Sequence, residues 1–198
     1  MPNCGVRSGA AGPYTMASTT LSVQDVARVR ERMARAHEIA AIQFRDSFVL
    51  GQTAPTAHLQ MLADALIGES DGVRLRGPAY ELRDGVIQPL HQNFEIDRTP
   101  LTIFEYWLII SEITGSDSWR MTKLIATPEE YDAALRQMRS PQIVRALVAS
   151  FLPSVDGSML AVTVYTRADG ERVERRLLQL DERNEFHFHS RELIAEAR

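Results

Sequence analysis

The C-terminal segment constrains the fold of this chain more than any other part. Met159 to Thr166, Val173 to Leu180 and Glu185 to His189 are short alternating runs, separated by Asp169-Gly170 and by Asp181 to Asn184. Period-two alternation broken by turn residues is the pattern of consecutive hairpins. It predicts a three-stranded antiparallel β-meander. A meander with one apolar face needs a second layer to cover it.

The N-terminal half supplies that layer. Val26, Val29, Met33, Ala36 and Ala40 recur at helical spacing, and the stripe broadens through Ile39, Ile42, Phe44 and Phe48. Ser22 is placed as an N-cap with Asp25 three residues on, and Gly51 ends the helix as a C′ residue. A second helix is expected from Ala57 to Ile67, closed by Gly68. Arg28, Arg32 and Arg35 line another face of the long helix, with Glu31 placed to pair with Arg35.

The middle of the chain turns to strand. Val73 to Arg76 and Tyr80 to Leu82 are short strands, and Arg83-Asp84-Gly85 forms a hairpin turn into Val86 to Leu90. Thr102 to Ile113 carries conflicting signals. Thr99-Pro100 reads as a helix start and Gly115 as a stop, but Ile103, Phe104, Tyr106, Trp107, Ile109, Ile110 and Ile113 are β-formers. We assign it to a buried strand, paired through Gly115 to Ser118 with Trp119 to Ile125. Thr127-Pro128-Glu129-Glu130 then opens a helix with apolar face Tyr131, Ala134, Leu135 and Met138. Ser140-Pro141 divides it from another helix running to Leu152, and Ser190 caps a short terminal helix.

The expected fold class is therefore α+β: N-terminal helices packed on a mainly antiparallel sheet, ending in a three-stranded β-meander. Residues 1–20 read as a disordered lead, with Met16 an alternative start, and 21–198 as a single α+β domain. The chain has 198 residues, 44% of them hydrophobic, enough for a sizeable core. Net charge is −4, which argues against nucleic acid as a partner. Lys123 is the only lysine, the other basic residues being arginine, as codon bias in a GC-rich genome would produce. Cys4 has no internal disulfide partner, and no apolar run reaches the ~18 residues of a membrane span. A soluble cytoplasmic protein is expected.

Four residues are candidates for chemistry. His187 and His189, two apart on a strand, share a face and are metal-ligand candidates, with Glu192, His91 or Glu185 as a third donor. The plainer account is that Phe186 and Phe188 face the core while the histidines face water. Glu105, set among Ile103, Trp107 and Ile109, is a catalytic candidate. A carboxylate buried there would serve as a general acid or base only if no arginine partners it; the plainer account is a solvated Glu105 near the strand's open end or on a helix surface. His91, catalytic in the same scheme, opens a polar row with Asn93, Glu95 and Asp97, which otherwise reads as the wet face of an edge strand. His37 and His58 lie on helices with no partner evident in the sequence. The arginine-rich stretches are interleaved with acids that can pair with them.

No phosphate-binding loop, dinucleotide fingerprint, nucleophile elbow, HExxH or EF-hand loop occurs. The leading functional expectation is a non-catalytic binding, regulatory or assembly protein, an adaptor or chaperone-like subunit with a protein partner or self-association. The alternative is a small-molecule enzyme or ligand-binding protein with a pocket between sheet and helices, with or without metal assistance.

Overall fold

The computed structural model describes residues 18–49, 57–114, 124–144, 150–156, 161–168 and 172–197. Strand β1 (Thr19–Thr20) leads into the long helix α1 (Val23–Val49). Its N-terminus is the capping box read from the sequence. The Asp25 amide donates to Ser22 Oγ at 3.1 Å and the Ser22 amide to Asp25 Oδ2 at 3.3 Å. Val26, Val29, Met33, Ala36 and Ala40 are buried along one stripe. Helix α2 (Ala57–Gly68) packs against α1.

Strands β2 (Val73–Leu75) and β5 (Phe94–Ile96) pair antiparallel, bracketing the hairpin of β3 (Tyr80–Arg83) and β4 (Val86–Pro89). That hairpin turns on Asp84 (φ 52°) and Gly85 (φ 77°), the left-handed pair that a two-residue turn between right-twisted strands requires. A 3-10 turn over His91–Asn93 separates β4 from β5. It breaks the polar row expected from residues 91 to 97. Glu95 and Asp97 form ion pairs with Arg76 and Arg74 on the outer surface, away from His91.

Residues 100–114 are helical, not a strand. Helix α3 (Pro100–Thr114) begins at Thr99, whose Oγ1 accepts the Thr102 amide at 3.2 Å, and its residues from Thr102 to Ile113 are all buried. A helix that is apolar all round lies inside the molecule. Here tertiary burial overrides the weak helix preference of β-branched residues. The turn proposed at Gly115 to Ser118 and the strand from Trp119 to Lys123 lie outside the described residues; Leu124–Ile125 forms β6.

Helix α4 (Pro128–Gln137) starts as expected, with Thr127 Oγ1 accepting the Glu130 amide. Arg30 grips Glu130 with both terminal guanidinium nitrogens, Nη1 and Nη2, tying α4 to α1. The helix expected next is absent at its start: Pro141–Ile143 form strand β7 because Ser140 takes φ 51° and redirects the chain. Residues 145–149 of that expected helix lie outside the described set.

Strands β8 (Ser154–Asp156), β9 (Ala161–Ala168), β10 (Arg172–Leu180) and β11 (Phe186–Ala197) complete an antiparallel sheet ordered β1-β8-β9-β10-β11-β7, with β6 also on β9. The meander is present, and no terminal helix follows Ser190, since β11 runs on to Ala197. Leu178 and Leu180 join α1, α2 and α3 in the main core, whereas Val173, Ile194 and Ala195 pack with Tyr131, Ala134 and Met138 of the α4 region. The mixed α+β architecture follows.

Two register shifts interrupt the β10–β11 ladder. Leu177 faces Ser190 and Leu178 faces Phe188, so His189 is the extra residue of a bulge. Past it, the alternation is re-phased.

Candidate functional site

The turn joining β10 to β11 is built by Asp181. Its Oδ1 accepts the amides of Arg183 and Glu185, both at 2.8 Å, while the Asp181 amide donates to the Glu185 carbonyl at 3.0 Å. Asn184 completes the reversal at φ 63°, a conformation asparagine tolerates better than most residues.

Asn184 also docks the turn onto the buried helix. Its carbonyl accepts the Tyr106 hydroxyl at 3.0 Å, its Nδ2 donates to the Phe94 carbonyl at 2.8 Å, and its Oδ1 accepts from Arg98 at 3.0 Å. Tyr106 projects from α3 between Phe94 and Phe186, ring centroids 5.3 and 5.6 Å away. His91 Nδ1 lies 2.9 Å from the same hydroxyl. A carbonyl only accepts; where the phenol donates to Asn184, the His91 tautomer that satisfies the same hydroxyl oxygen is the one protonated at Nδ1.

Electrostatics follow from this packing. Burial holds the His91 imidazole below its ordinary range and His187 adds to the effect, against the pull of Glu185, the Asn184 carbonyl and Asp181. Burial, with Glu185 and Asp181 nearby, pushes the Tyr106 phenol far up, so it stays protonated. Asp181 goes the other way. The hydrogen bond from His187 and the Glu185 and Arg183 amides outweigh slight desolvation, and its carboxyl is pushed down to about 2.

Beside this turn lies an open cleft of about 480 Å³ lined by Gln92, Glu182, Arg183, Asn184 and Glu185. His187 Nε2 stands 2.9 Å from Asp181 Oδ2. Asp181, Glu185 and His187 form a cluster in which one potential ligand atom from each lies within 4.8 Å of the others. A second open cleft, about 490 Å³, is bounded by Asp64, Ile67, Gly68, Ser70, Val73, Arg74 and Leu75.

The structure distributes the sequence candidates unevenly. His91 and His187 come to the same turn. His189 sits at the bulge, exposed and outside the cluster, and Phe188 is half exposed, leaving Phe186 to reach the main core. Glu192 pairs with Arg175 at 3.3 Å. Glu105 is buried, but Arg32 Nη1 lies 3.2 Å from its Oε1 and Ser70 donates to its Oε2 at 2.8 Å. The condition that no arginine should partner it is therefore not met. Two turns further along α3, the buried Glu112 meets His37 at 3.2 Å, and His58 makes an edge contact with Phe44.

Sequence reasoning missed Tyr106, Asp181 and Asn184 as members of one site. The Thr-Pro start and Gly stop around residues 100–115 signalled the helix that turns Tyr106 toward this turn; Asp181 and Asn184 were legible only as turn formers. No protein-family model, curated protein or solved structure matches the chain. Among the described residues, no helix is long and apolar enough to cross a membrane.

Proposed function

We propose that the chain is a non-catalytic binding protein that takes a small polar ligand at the cleft beside the β10–β11 turn. The observation that carries this reading is how the site's groups are already committed. The Tyr106 phenol donates to Asn184, His91 bonds to that phenol, and Asp181 Oδ1 holds two amides. Groups employed this way hold a shape rather than shuttle protons. Beside the cleft they leave the exposed Glu185 and the His187–Asp181 Oδ2 pair, a polar surface on a strand-anchored turn.

The buried carboxylates among the described residues lend support. Glu105, Glu112 and Glu174 lie against Arg32, His37 and Arg176, an arrangement suited to holding elements together. A reducing, cytoplasmic setting belongs to the same reading, supported by the lone Cys4.

Amide chemical-shift mapping of the full chain tests it, using magnesium, zinc, inorganic phosphate and small dicarboxylates as probes. Shifts concentrated at residues 91–94 and 181–187 are expected with at least one of them. Shifts confined to the second cleft, or none with any probe, would overturn the reading.

Self-association is a second reading, favoured by β7. This strand stands at the sheet edge among the described residues, with Ile143 and the adjoining Val144 about half exposed. Light scattering of the purified chain decides it, and a monomer at all concentrations would exclude it.

A further inference from the structure

We infer that Asp181, Glu185 and His187 form a binding site for a divalent transition-metal ion of the zinc class, at the mouth of the polar cleft. The inference rests on the reading of that cleft as the ligand-binding surface and names the ligand.

Distances come first. Adjacent donors about 2.1 Å from one ion stand about 3.0 Å apart at right angles and about 3.4 Å apart at tetrahedral corners. His187 Nε2 and Asp181 Oδ2 are 2.9 Å apart. A Glu185 oxygen completes a set of three donors within 4.8 Å of one another, and Glu185 is an exposed side chain free to rotate inward.

Pre-organisation comes second. Ligating carboxylates are ordinarily held by their own hydrogen bonds. Asp181 has that support: two backbone amides secure Oδ1 and leave Oδ2 aimed at His187. The supporting turn is in turn fastened to α3 and β5 through Asn184. The donors span only residues 181 to 187, so no domain motion is needed to assemble them.

Chemistry selects the ion. Two carboxylates match a double positive charge, and an imidazole nitrogen favours zinc, cobalt or nickel over magnesium and calcium, which prefer all-oxygen sets. The side chains of Asp181 and His187 are 32% and 58% exposed, so water completes the coordination. His91 lies within electrostatic reach of all three, and Nε2 is the nitrogen its bond to Tyr106 leaves over. His189, displaced by the bulge, takes no part.

Titration calorimetry of the full chain with ZnCl2, CoCl2 and MgCl2, with shift mapping alongside, tests the inference. Zinc and cobalt should bind with one equivalent assignable to residues 181–187, and magnesium at least tenfold more weakly. His187→Ala and Glu185→Gln, both at exposed positions, should each weaken zinc at least tenfold, with unchanged circular dichroism. Asp181→Asn keeps an Oδ1 acceptor for the turn and should do the same, while His189→Ala should leave affinity unaltered. Zinc binding indifferent to His187→Ala and Glu185→Gln would overturn the site. A cleft that responds to phosphate or dicarboxylates but not to zinc or cobalt would overturn the metal and leave the binding surface standing. No response to any probe would remove both.

Discussion

Tyr106→Phe isolates the link between the buried helix and the β10–β11 turn. The ring keeps its packing between Phe94 and Phe186, so the change removes one oxygen and little volume. Lost with it are the bond donated to the Asn184 carbonyl at 3.0 Å and the bond from His91 at 2.9 Å. Two such bonds contribute about 1 kcal/mol each, and a buried partner left unsatisfied adds to the loss. Tyr106 is fully buried, which denies water a route to replace its hydroxyl from the core side. The expected destabilisation is about 1.5–3 kcal/mol, or roughly 3–12 °C in melting temperature for a chain of this size. Urea denaturation followed by circular dichroism measures the first, and scanning calorimetry the second. A cycle with His91→Ala should recover a coupling of about 1 kcal/mol, because each single change breaks the same bond. A Tyr106→Phe protein within about 0.5 kcal/mol of the parent would refute the docking role assigned to this hydroxyl.

The pH dependence of stability should show two acid steps. His91 is held below its ordinary 6.5, so protonation favours the unfolded chain; its contribution is full above 6.5 and declines as pH falls through the folded value. Asp181, ordinarily 3.8 and here about 2, contributes fully above 3.8 and loses that contribution as pH falls toward 2. His91→Gln should remove the upper step and Asp181→Asn the lower one in urea midpoints measured across pH; a profile unchanged in both variants contradicts the assignment. Arg176→Ala should cost about 1–3 kcal/mol, because it leaves Glu174, whose side chain is only 3% exposed, with the longer 3.7 Å contact to Arg191. Replacing Glu174 and Arg176 together with leucine should cost much less, and equal losses in equilibrium unfolding would argue against a buried pair. Gly72→Ala brings a Cβ to 2.4 Å from Thr102 Oγ1, a side chain engaged with Thr99 at the start of α3, and should cost about 1–3 kcal/mol in the same assay.

Much of the architecture was legible because its signals were local. The Ser22 and Thr127 caps, the Asp84-Gly85 turn and the meander each depend on a few neighbouring residues, and each is found where those residues stand. Helix α3 was not legible, because its conformation is decided by what surrounds it. Ile103, Ile109, Ile110 and Ile113 prefer strands in isolation, yet all are buried from every side in the fold. The site was half legible for the same reason. The pattern brought out His91 and His187, but the bond from His91 to Tyr106 depends on the helical turn of α3, and the bulge at His189 leaves no simple alternation to read. The favoured expectation of a solvated Glu105 fails: it is buried on α3 against Arg32, 73 positions away, a partner that spacing alone could not assign.

The enclosure of α3 has a consequence for how the protein must be made. Residues 101–113, Leu-Thr-Ile-Phe-Glu-Tyr-Trp-Leu-Ile-Ile-Ser-Glu-Ile, leave the ribosome well before the strands that cover them. Until β10 is complete, that stretch is an apolar, aromatic-rich ribbon able to pair edge to edge with another copy of itself. Chaperone demand and inclusion-body formation should therefore track how quickly the C-terminal meander arrives, and truncations that remove it should aggregate rather than remain as a helical fragment.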